Sequence, residues 1–299
     1  MFRRIVILVA AAALLMAVAP ALADETEGIF RYRILDDGTA MLTGCTSYEE
    51  TVAIPDTLGG RPVTQIGNEV FSRRTSLRAV TIPDRVVSIG NSAFSGCTEL
   101  RELKLPSKLN RIGRYAFFDC DSLNEVTVPD GTAEIGDSAF FSCDRLARVV
   151  LPAGMDSIGK GAFGSCEALR EIVFQGSVTE IGPQAFAYCR VLERISLPEG
   201  LTALGFSAFY GCGSLLEAVL PESLLSIGEC AFMYCGKLTD ITIPAGVAEF
   251  GRYIFSQPGN SLNYVPMENI TVTVTPGSPA QAYCEAEGYS WKPAGPEAE

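Results

Sequence analysis

The sequence predicts a repeat solenoid, a fold built by stacking many copies of one short unit. A phenylalanine recurs every 23 residues without a slip, and the neighbouring positions keep the same register. The recurring phenylalanines are Phe71, Phe94, Phe117, Phe140, Phe163, Phe186, Phe209, Phe232 and Phe255. Self-similarity at a period of about 20 to 50 residues is typical of solenoids and related arrays. A secretion signal at the start of the chain is the second observation, and together they favour an extended binding surface outside the cell.

The first 23 residues have the features of a secretory signal peptide. Arg3 and Arg4 precede an apolar stretch from Ile5 to about Ala19, and a small-x-small cleavage motif ends at Ala23. We predict that residues 1–23 are removed, and that the mature protein is secreted or associated with the cell surface. An uncleaved anchor is the alternative, which the short apolar stretch disfavours because a membrane span needs about 20 apolar residues. We expect no membrane insertion after cleavage.

Each repeat contains one short β-strand that usually ends at a proline. In the unit that begins at Leu77, Val80 and Ile82 alternate with small or polar residues, as in a half-buried strand. Pro83 follows, and proline cannot donate a hydrogen bond to a continuing ladder. A single unit buries too little apolar surface to offset the entropy lost on ordering its backbone. We therefore expect each strand to pair in parallel with the strand of the next turn.

The other half of each repeat holds an Ile-Gly step, an Ala-Phe pair and, in most repeats, a cysteine. Ile89 and Gly90 come before Phe94, and Cys97 and Leu100 follow it at intervals of three residues. A recurring glycine indicates a bend that a side chain would obstruct.

These columns resemble the BspA-type leucine-rich repeat, which reads approximately Leu-x-x-Ile-x-Ile-Pro, a turn, Ile-Gly-x-x-Ala-Phe and then Cys. The segment from Leu77 to Cys97, LRAVTIPDRVVSIGNSAFSGC, carries the resemblance most clearly, and the match covers nearly the whole mature chain. The resemblance implies a right-handed leucine-rich-repeat superhelix. One face would be a parallel β-sheet, the other would consist of short helical or irregular turns, and both ends would be capped.

The ends of the chain also resemble the caps of such proteins. An N-terminal β-hairpin cap is expected at 24–50, with its turn around Asp36-Asp37-Gly38, followed by a Gly59-Gly60-Arg61-Pro62 insertion. The solenoid of about nine 23-residue repeats spans 51–262. The C-terminal cap spans 263–291, with a strand at Ile270 to Val274 and a short helix near Ala280 to Glu287. Residues 292–299 are expected to be a flexible tail.

Composition disfavours several functional classes. The formal net charge is −12, whereas nucleic acids and anionic membranes are bound by concentrated Lys and Arg. The chain has no histidine, which removes Ser-His, Cys-His and histidine-ligated metal chemistry. Carboxylate pairs remain conceivable, but acidic residues on open repeat faces are usually solvated. We predict a protein that is not an enzyme and has no cofactor, no metal and no nucleic-acid partner.

Seven of the ten cysteines occupy one column of the repeat: Cys97, Cys120, Cys143, Cys166, Cys189, Cys212 and Cys235. Equivalent side chains in neighbouring turns point the same way and do not converge on a disulfide. We predict free, buried thiols that act as small apolar residues. Outside the column lie Cys45, Cys284 and Cys230. Cys230 is the candidate for a reactive or exposed thiol, with a buried residue as the alternative.

Positions that flank the buried strand residues form a first candidate binding surface, an acidic stripe interrupted by two arginines. Its residues are Glu102, Lys104, Glu125, Arg148, Glu171, Arg194, Glu217 and Asp240. This face would suit an extended basic or mixed-charge partner. The alternative is a solvated sheet whose charges pair between turns.

Aromatic side chains at variable positions around the Ala-Phe segment form a second candidate surface. They are Tyr115, Phe118, Phe141, Phe206, Tyr210, Met233 and Tyr234, counting Met233 with the aromatic residues. Exposed aromatic residues anchor protein partners, and the alternative is that they cover the outer layer of the solenoid.

Two functional hypotheses from different classes follow. The first is a secreted or surface-associated bacterial protein that recognises an extracellular protein or a surface glycoconjugate. The resemblance implies this, since the family looks like bacterial surface and secreted proteins, some of which attach to host matrix proteins such as fibronectin and fibrinogen. The second is a structural or accessory module of a surface assembly, and a secreted enzyme is a distant third.

Overall fold

In a computed structural model, which describes residues 24–259 and 264–295, the chain forms a parallel β-solenoid. The predicted signal peptide and residues 296–299 of the predicted tail lie outside the described residues. Signal cleavage therefore stays a prediction.

The N-terminal part of the chain combines a hairpin with the first turns of the solenoid. Its strands are β1 (Glu25–Glu27), β2 (Phe30–Ile34), β3 (Ala40–Cys45), β4 (Thr51–Ala53), β5 (Thr57–Leu58) and β6 (Arg61–Ile66). β2 and β3 are antiparallel and are joined by the turn at Asp36-Asp37-Gly38. β3 then pairs in parallel with β6, which begins the repeat geometry. β5 and β6 form a second tight hairpin at Gly59 and Gly60, both of which have positive φ.

Each later turn contributes two short strands. In chain order these are β7 (Ala79–Thr81) and β8 (Ser88–Ile89), β9 (Glu102–Leu103) and β10 (Arg111–Ile112), β11 (Glu125–Thr127) and β12 (Glu134–Ile135), β13 (Arg148–Leu151) and β14 (Met155–Ile158), β15 (Glu171–Phe174) and β16 (Val178–Ile181), β17 (Arg194–Ser196) and β18 (Ala203–Leu204), β19 (Glu217–Val219) and β20 (Ser226–Ile227), and β21 (Asp240–Thr242) and β22 (Glu249–Phe250).

The strands with odd numbers from β7 to β21 form the predicted parallel face, here called the strand face. Equivalent residues of neighbouring turns are paired, for example Val80 with Leu103 and Val126 with Val149. The face is not one uninterrupted sheet, because its strands fall into the groups β4-β7-β9, β11-β13-β15 and β17-β19, with β21 in a group at the C-terminal end.

The strands with even numbers from β6 to β22 form a second parallel sheet that the sequence did not predict. It runs without interruption from the hairpin through β6 to β22 and is part of a 13-stranded sheet. Most of its strands are two residues long and centre on the isoleucine of the Ile-Gly step. The Ala-Phe segments on the remaining side are irregular turns rather than helices.

The glycine of the Ile-Gly step lets successive backbones approach closely. A Cβ on Gly90 would lie 2.6 Å from the carbonyl carbon of Gly67, and one on Gly159 would lie 2.6 Å from the Ile135 oxygen. Neither residue has a positive φ. A side chain is therefore obstructed at these positions, as predicted, and the obstructing atoms belong to the backbone of the previous turn.

The periodic phenylalanines form one stack through the core. All nine rings are fully buried, and consecutive centroids are 5.0 to 5.8 Å apart with planes within 16° of parallel. Each interior ring therefore contacts the rings of both neighbouring turns, so that the core is continuous along the solenoid.

The ten cysteines are free and buried, as predicted for the seven residues of the column. The column cysteines also have a polar role, because each thiol donates a hydrogen bond to the phenylalanine carbonyl of the previous turn. The Cys97 Sγ lies 3.1 Å from the Phe71 oxygen, and the Cys166 Sγ lies 3.2 Å from the Phe140 oxygen. Cys230 is 8% exposed, which agrees with the buried alternative.

Native protein is expected to react very slowly with Ellman's reagent at about pH 8, and all ten thiols are expected to react after unfolding in urea. Burial raises the pKa of Cys97 and of Cys166 to about 12. The thiolate, which is the nucleophile, is therefore scarcer at that pH than in an exposed cysteine. Cys230 is expected to react first among the ten. Rapid labelling of several native thiols would contradict the buried column.

The C-terminal part closes the last apolar turn. It consists of β23 (Ser256–Pro258), β24 (Tyr264–Pro266), β25 (Thr271–Val274), α1 (Pro279–Glu287) and β26 (Ser290–Pro293). Ser278 caps the N-terminus of α1, and Gly288 ends the helix in a left-handed conformation. The ring of Tyr283 stacks on Phe250 at 4.6 Å. β26 pairs with β25 as far as Pro293, so residues 292 and 293 belong to the cap and not to the predicted flexible tail.

Candidate functional site

The charged residues of the strand face are largely paired with one another. Arg148 contacts Glu125 at 2.5 Å and Glu171 at 2.9 Å, one on each neighbouring turn. Arg194 pairs with Glu217 in the same way. These contacts follow from the in-register parallel ladder, which places equivalent residues side by side.

At the C-terminal end of this face Asp240 pairs with Lys292 of β26 at 2.9 Å, and this contact holds the pKa of the Asp240 carboxyl below its usual range. Glu102 and Lys104 instead line an open groove of about 570 Å³ that lies along the paired strands β7 and β9. The stripe therefore offers few uncompensated charges, as the alternative of pairing between turns describes.

The aromatic residues in the N-terminal half of the solenoid pack on one another. Tyr115 meets the edge of Phe118 at 5.8 Å, and Phe118 stacks on Phe141 at 5.7 Å. Both phenylalanines are half-buried. The Phe141 ring covers Gly164 of the next turn, where a Cβ would lie 2.9 Å from it. The two phenylalanines therefore fit the outer-layer alternative, whereas Tyr115 is 40% exposed.

A larger aromatic cluster lines a groove in the C-terminal half, on the same Ala-Phe side. We call it the tyrosine groove and define it by Tyr188, Phe206, Tyr210, Tyr234, Tyr253 and Tyr264. Phe206 and Tyr264 are 47% and 48% exposed, and Tyr188 is 40% exposed. The groove has two hollows of about 360 and 450 Å³, which share Tyr188 and Tyr210 as a common wall.

The rings of the tyrosine groove meet at steep angles. The Tyr210 centroid is 5.2 Å from that of Tyr188 and 5.0 Å from that of Tyr234, with interplanar angles of 74° and 65°. Tyr253 and Tyr264 are 5.1 Å apart at 53°. Burial and the neighbouring tyrosines raise the pKa of Tyr210, so its hydroxyl remains a hydrogen-bond donor at neutral pH.

Met233, which was grouped with the aromatic candidates, does not offer a contact surface. Its side chain is 1% exposed and forms part of the floor of the tyrosine groove beside Cys230. The flexible thioether of methionine packs well into irregular space below a surface. The larger rings of the neighbouring turns cover the Met233 side chain. Met233 is therefore a buried residue of the groove floor and not a candidate binding residue.

Sequence reasoning missed Tyr188, Tyr253 and Tyr264. Tyr188 occupies a column that holds Gly96 and Gly211 in other turns, and Tyr253 occupies the column of Gly161. A bulky residue in a column that elsewhere contains glycine was the available signal. Tyr264 lies outside the repeat register, so periodicity gave no signal for it.

Three tyrosines of the groove have left-handed backbone conformations. The φ angles of Tyr188, Tyr234 and Tyr253 are 61°, 63° and 59°. Such a conformation costs a residue other than glycine about 1 to 3 kcal/mol. Gly211 adopts the equivalent conformation in the column of Tyr188 with φ of 73°. The repeat therefore accepts glycine at these positions, and local backbone stability does not account for tyrosine.

Six copies of the BspA type leucine rich repeat region match residues 64–191 and 156–277, well over half of the chain. The chain belongs to the BspA-type leucine-rich-repeat family. No curated protein matches it.

Solved structures of leucine-rich-repeat proteins resemble this BspA-type chain. The leucine-rich-repeat protein of T. pallidum, TpLRR, is 32% identical over 72% of this chain and 90% of its own, with a TM-score of 0.54. A Bacteroides ovatus leucine-rich-repeat protein is 22% identical over 91% of this chain and 100% of its own, with a TM-score of 0.46. A leucine-rich cell surface protein from Faecalibacterium prausnitzii is 22% identical over 92% and 96%, with a TM-score of 0.40.

Two further properties concern the described part of this BspA-type solenoid. Within residues 24–259 and 264–295, histidine, cysteine and acidic side chains do not gather in a group that could hold a metal ion. Over the same ranges, no helix has the length and apolar character that a membrane crossing needs.

Proposed function

We propose that this protein is a secreted or surface-associated bacterial recognition protein that binds another extracellular protein through the tyrosine groove. The observation that carries the proposal is the exposed aromatic surface of the groove, where Tyr188, Phe206 and Tyr264 are 40 to 48% exposed. Other turns place serine in the same two left-handed columns, at Ser138 and Ser165 for example, so the repeat backbone does not itself require tyrosine there. Tyrosine is also enriched among the residues that dominate binding energy at protein interfaces.

The strand face is the second candidate surface, and the open groove at Glu102 and Lys104 favours it. Its remaining charges are mostly compensated within the solenoid, so a partner would have to displace existing ion pairs. Each exposed ion pair contributes only about 0 to 1 kcal/mol to stability. Exchanging such pairs for new ones with a partner would therefore add little to the binding affinity. A surface glycoconjugate is the alternative class of partner, and a structural module without a dedicated ligand is the alternative function.

The test is a binding screen of residues 24–299 against arrays of extracellular matrix proteins, bacterial surface proteins and envelope glycans. The groove variant is Tyr188→Ser combined with Tyr234→Ser, because serine stands in the same column at Ser142 and Ser165. Tyr115→Ser is the matched aromatic control, and Arg148→Ala tests the strand face. We expect saturable binding to a protein that the groove variant loses by about ten-fold or more, which corresponds to about 1.4 kcal/mol.

The two controls are expected to retain binding of the wild-type strength. Loss of binding in Arg148→Ala alone would move recognition to the strand face. Binding to glycans but not to proteins would replace the proposed partner class, and no binding in the whole screen would favour the structural module.

A further inference from the structure

The charge inside the tyrosine groove is negative and uncompensated. Glu229 is the one charged side chain that lines the hollow around Phe206, and among the described residues no cation lies within ion-pair distance of its carboxylate. Arg252 follows at the equivalent position of the next turn but does not reach it. The formal net charge of −12 adds a long-range attraction for basic partners.

The arrangement of the rings fits a compact cation better than a flat ligand. Rings that meet at 53° to 74° form the walls of a slot, whereas a sugar ring stacks on a flat, open aromatic face. A guanidinium or ammonium group is attracted to the faces of aromatic rings within about 6 Å. The chain already contains this contact, since the guanidinium carbon of Arg190 lies 6.0 Å from the centre of the Tyr188 ring.

The groove also has the form needed for an extended segment rather than for a single small molecule. The wall formed by Tyr188 and Tyr210 separates the acidic hollow from the second hollow, which Arg190 and Ser214 line. Arg190 pairs with Glu167 at 3.4 Å on the previous turn, so the second hollow is closer to neutral. The hollow around Phe206 is thus an anionic slot with aromatic walls, and the adjoining second hollow is a mixed polar surface.

We propose that the tyrosine groove binds an arginine or lysine side chain presented by an extended segment of the partner protein. The basic group lies between the aromatic walls and the Glu229 carboxylate, and the adjoining backbone follows the groove across Tyr188 and Tyr210. This inference rests on the proposed function and specifies the chemistry of its partner.

The test is selection of phage-displayed random 12-residue peptides on residues 24–299, followed by calorimetry with the synthetic consensus peptide. We expect the selected peptides to be enriched in Arg or Lys over the starting library. Replacement of the consensus basic residue, by citrulline for Arg or acetyl-lysine for Lys, is expected to weaken binding by about ten-fold, because it removes the charge but keeps most of the shape. Glu229→Gln is expected to weaken binding by about three- to ten-fold and to reduce its dependence on salt concentration.

Glu222→Gln is the matched control, since Glu222 is an exposed carboxylate that does not line either hollow. Peptides that bind through the groove, as judged by loss in the Tyr188→Ser and Tyr234→Ser variant, but that tolerate the neutral replacement would overturn the inference and leave the proposed function intact. Failure to select any peptide, together with glycan binding in the screen above, would overturn both. Self-association of the chain through the groove, measured without peptide at the protein concentrations used in calorimetry, would also overturn the inference.

Discussion

Phe163→Ala is expected to lower the free energy of unfolding by about 3 to 5 kcal/mol, the cost of truncating a large buried aromatic side chain. The Phe163 ring is fully buried and stacks on Phe140 at 5.3 Å and on Phe186 at 5.6 Å. Its removal leaves a cavity that breaks the aromatic stack in the middle of the solenoid. Urea unfolding followed by circular dichroism measures the change.

Phe206→Ala is the matched control for this experiment, because it makes the same chemical change at a ring that is 47% exposed. It is expected to change the free energy of unfolding by less than about 1 kcal/mol. Similar effects of the two substitutions would contradict the central role of the phenylalanine stack.

Gly159→Ala is expected to destabilise the protein by about 3 kcal/mol, at the upper end of the usual cost of overpacking. An added Cβ would lie 2.6 Å from the Ile135 oxygen and 2.7 Å from the Gly136 carbonyl carbon. These atoms belong to the backbone of the previous turn, so no flexible side chain can move aside. Relief requires the two turns to separate, which weakens the hydrogen bond between the Gly159 amide and the Ile135 carbonyl.

Gly236→Ala is the control for this prediction. A Cβ at Gly236 would meet no atom within 4 Å, and the residue does not have a positive φ. Alanine there is expected to be neutral or to stabilise by up to about 1 kcal/mol through the lower entropy of the unfolded chain. An equal loss of stability in both variants would show that close backbone approach is not the reason for the glycine column.

The repeat architecture could be predicted from the sequence because its determinants are periodic. The phenylalanine stack, the cysteine column and the parallel strand each follow from one residue type at a fixed interval. The even-numbered sheet could not be predicted in this way, since strands as short as Ser88–Ile89 are too short to show alternation. The glycine of the Ile-Gly step indicated where a side chain was excluded but not which neighbouring atoms excluded it.

The candidate site could be predicted only in part. Phe206, Tyr210 and Tyr234 stood out as aromatic residues at variable positions, and the structure brings them together. Tyr188 depends on a left-handed backbone that sequence periodicity does not reveal, and Met233 shares a column with Tyr210 yet is buried. The pairing of Arg148 with two glutamates follows from the register of the strands. The sequence offered it only as the alternative to a binding surface, because the distance between side chains of neighbouring turns is not visible in the sequence.

The most direct test of the whole account compares two deletions of one 23-residue repeat each. Removal of residues 139–161 preserves the register and the tyrosine groove but takes out Arg148 of the strand face. Removal of residues 185–207 preserves the register but takes out Tyr188 and Phe206 together with Arg194, so each deletion removes one strand-face arginine and only this one removes groove residues. Circular dichroism and thermal melting establish that each shortened chain is folded, and binding to the partner found in the screen is then measured for both.

The account predicts that both shortened chains fold cooperatively, because each turn contacts only its neighbours. It also predicts that the 139–161 deletion keeps the affinity of the full solenoid while the 185–207 deletion loses it. Equal affinity of the two deletions, or loss confined to the 139–161 deletion, would contradict recognition through the tyrosine groove.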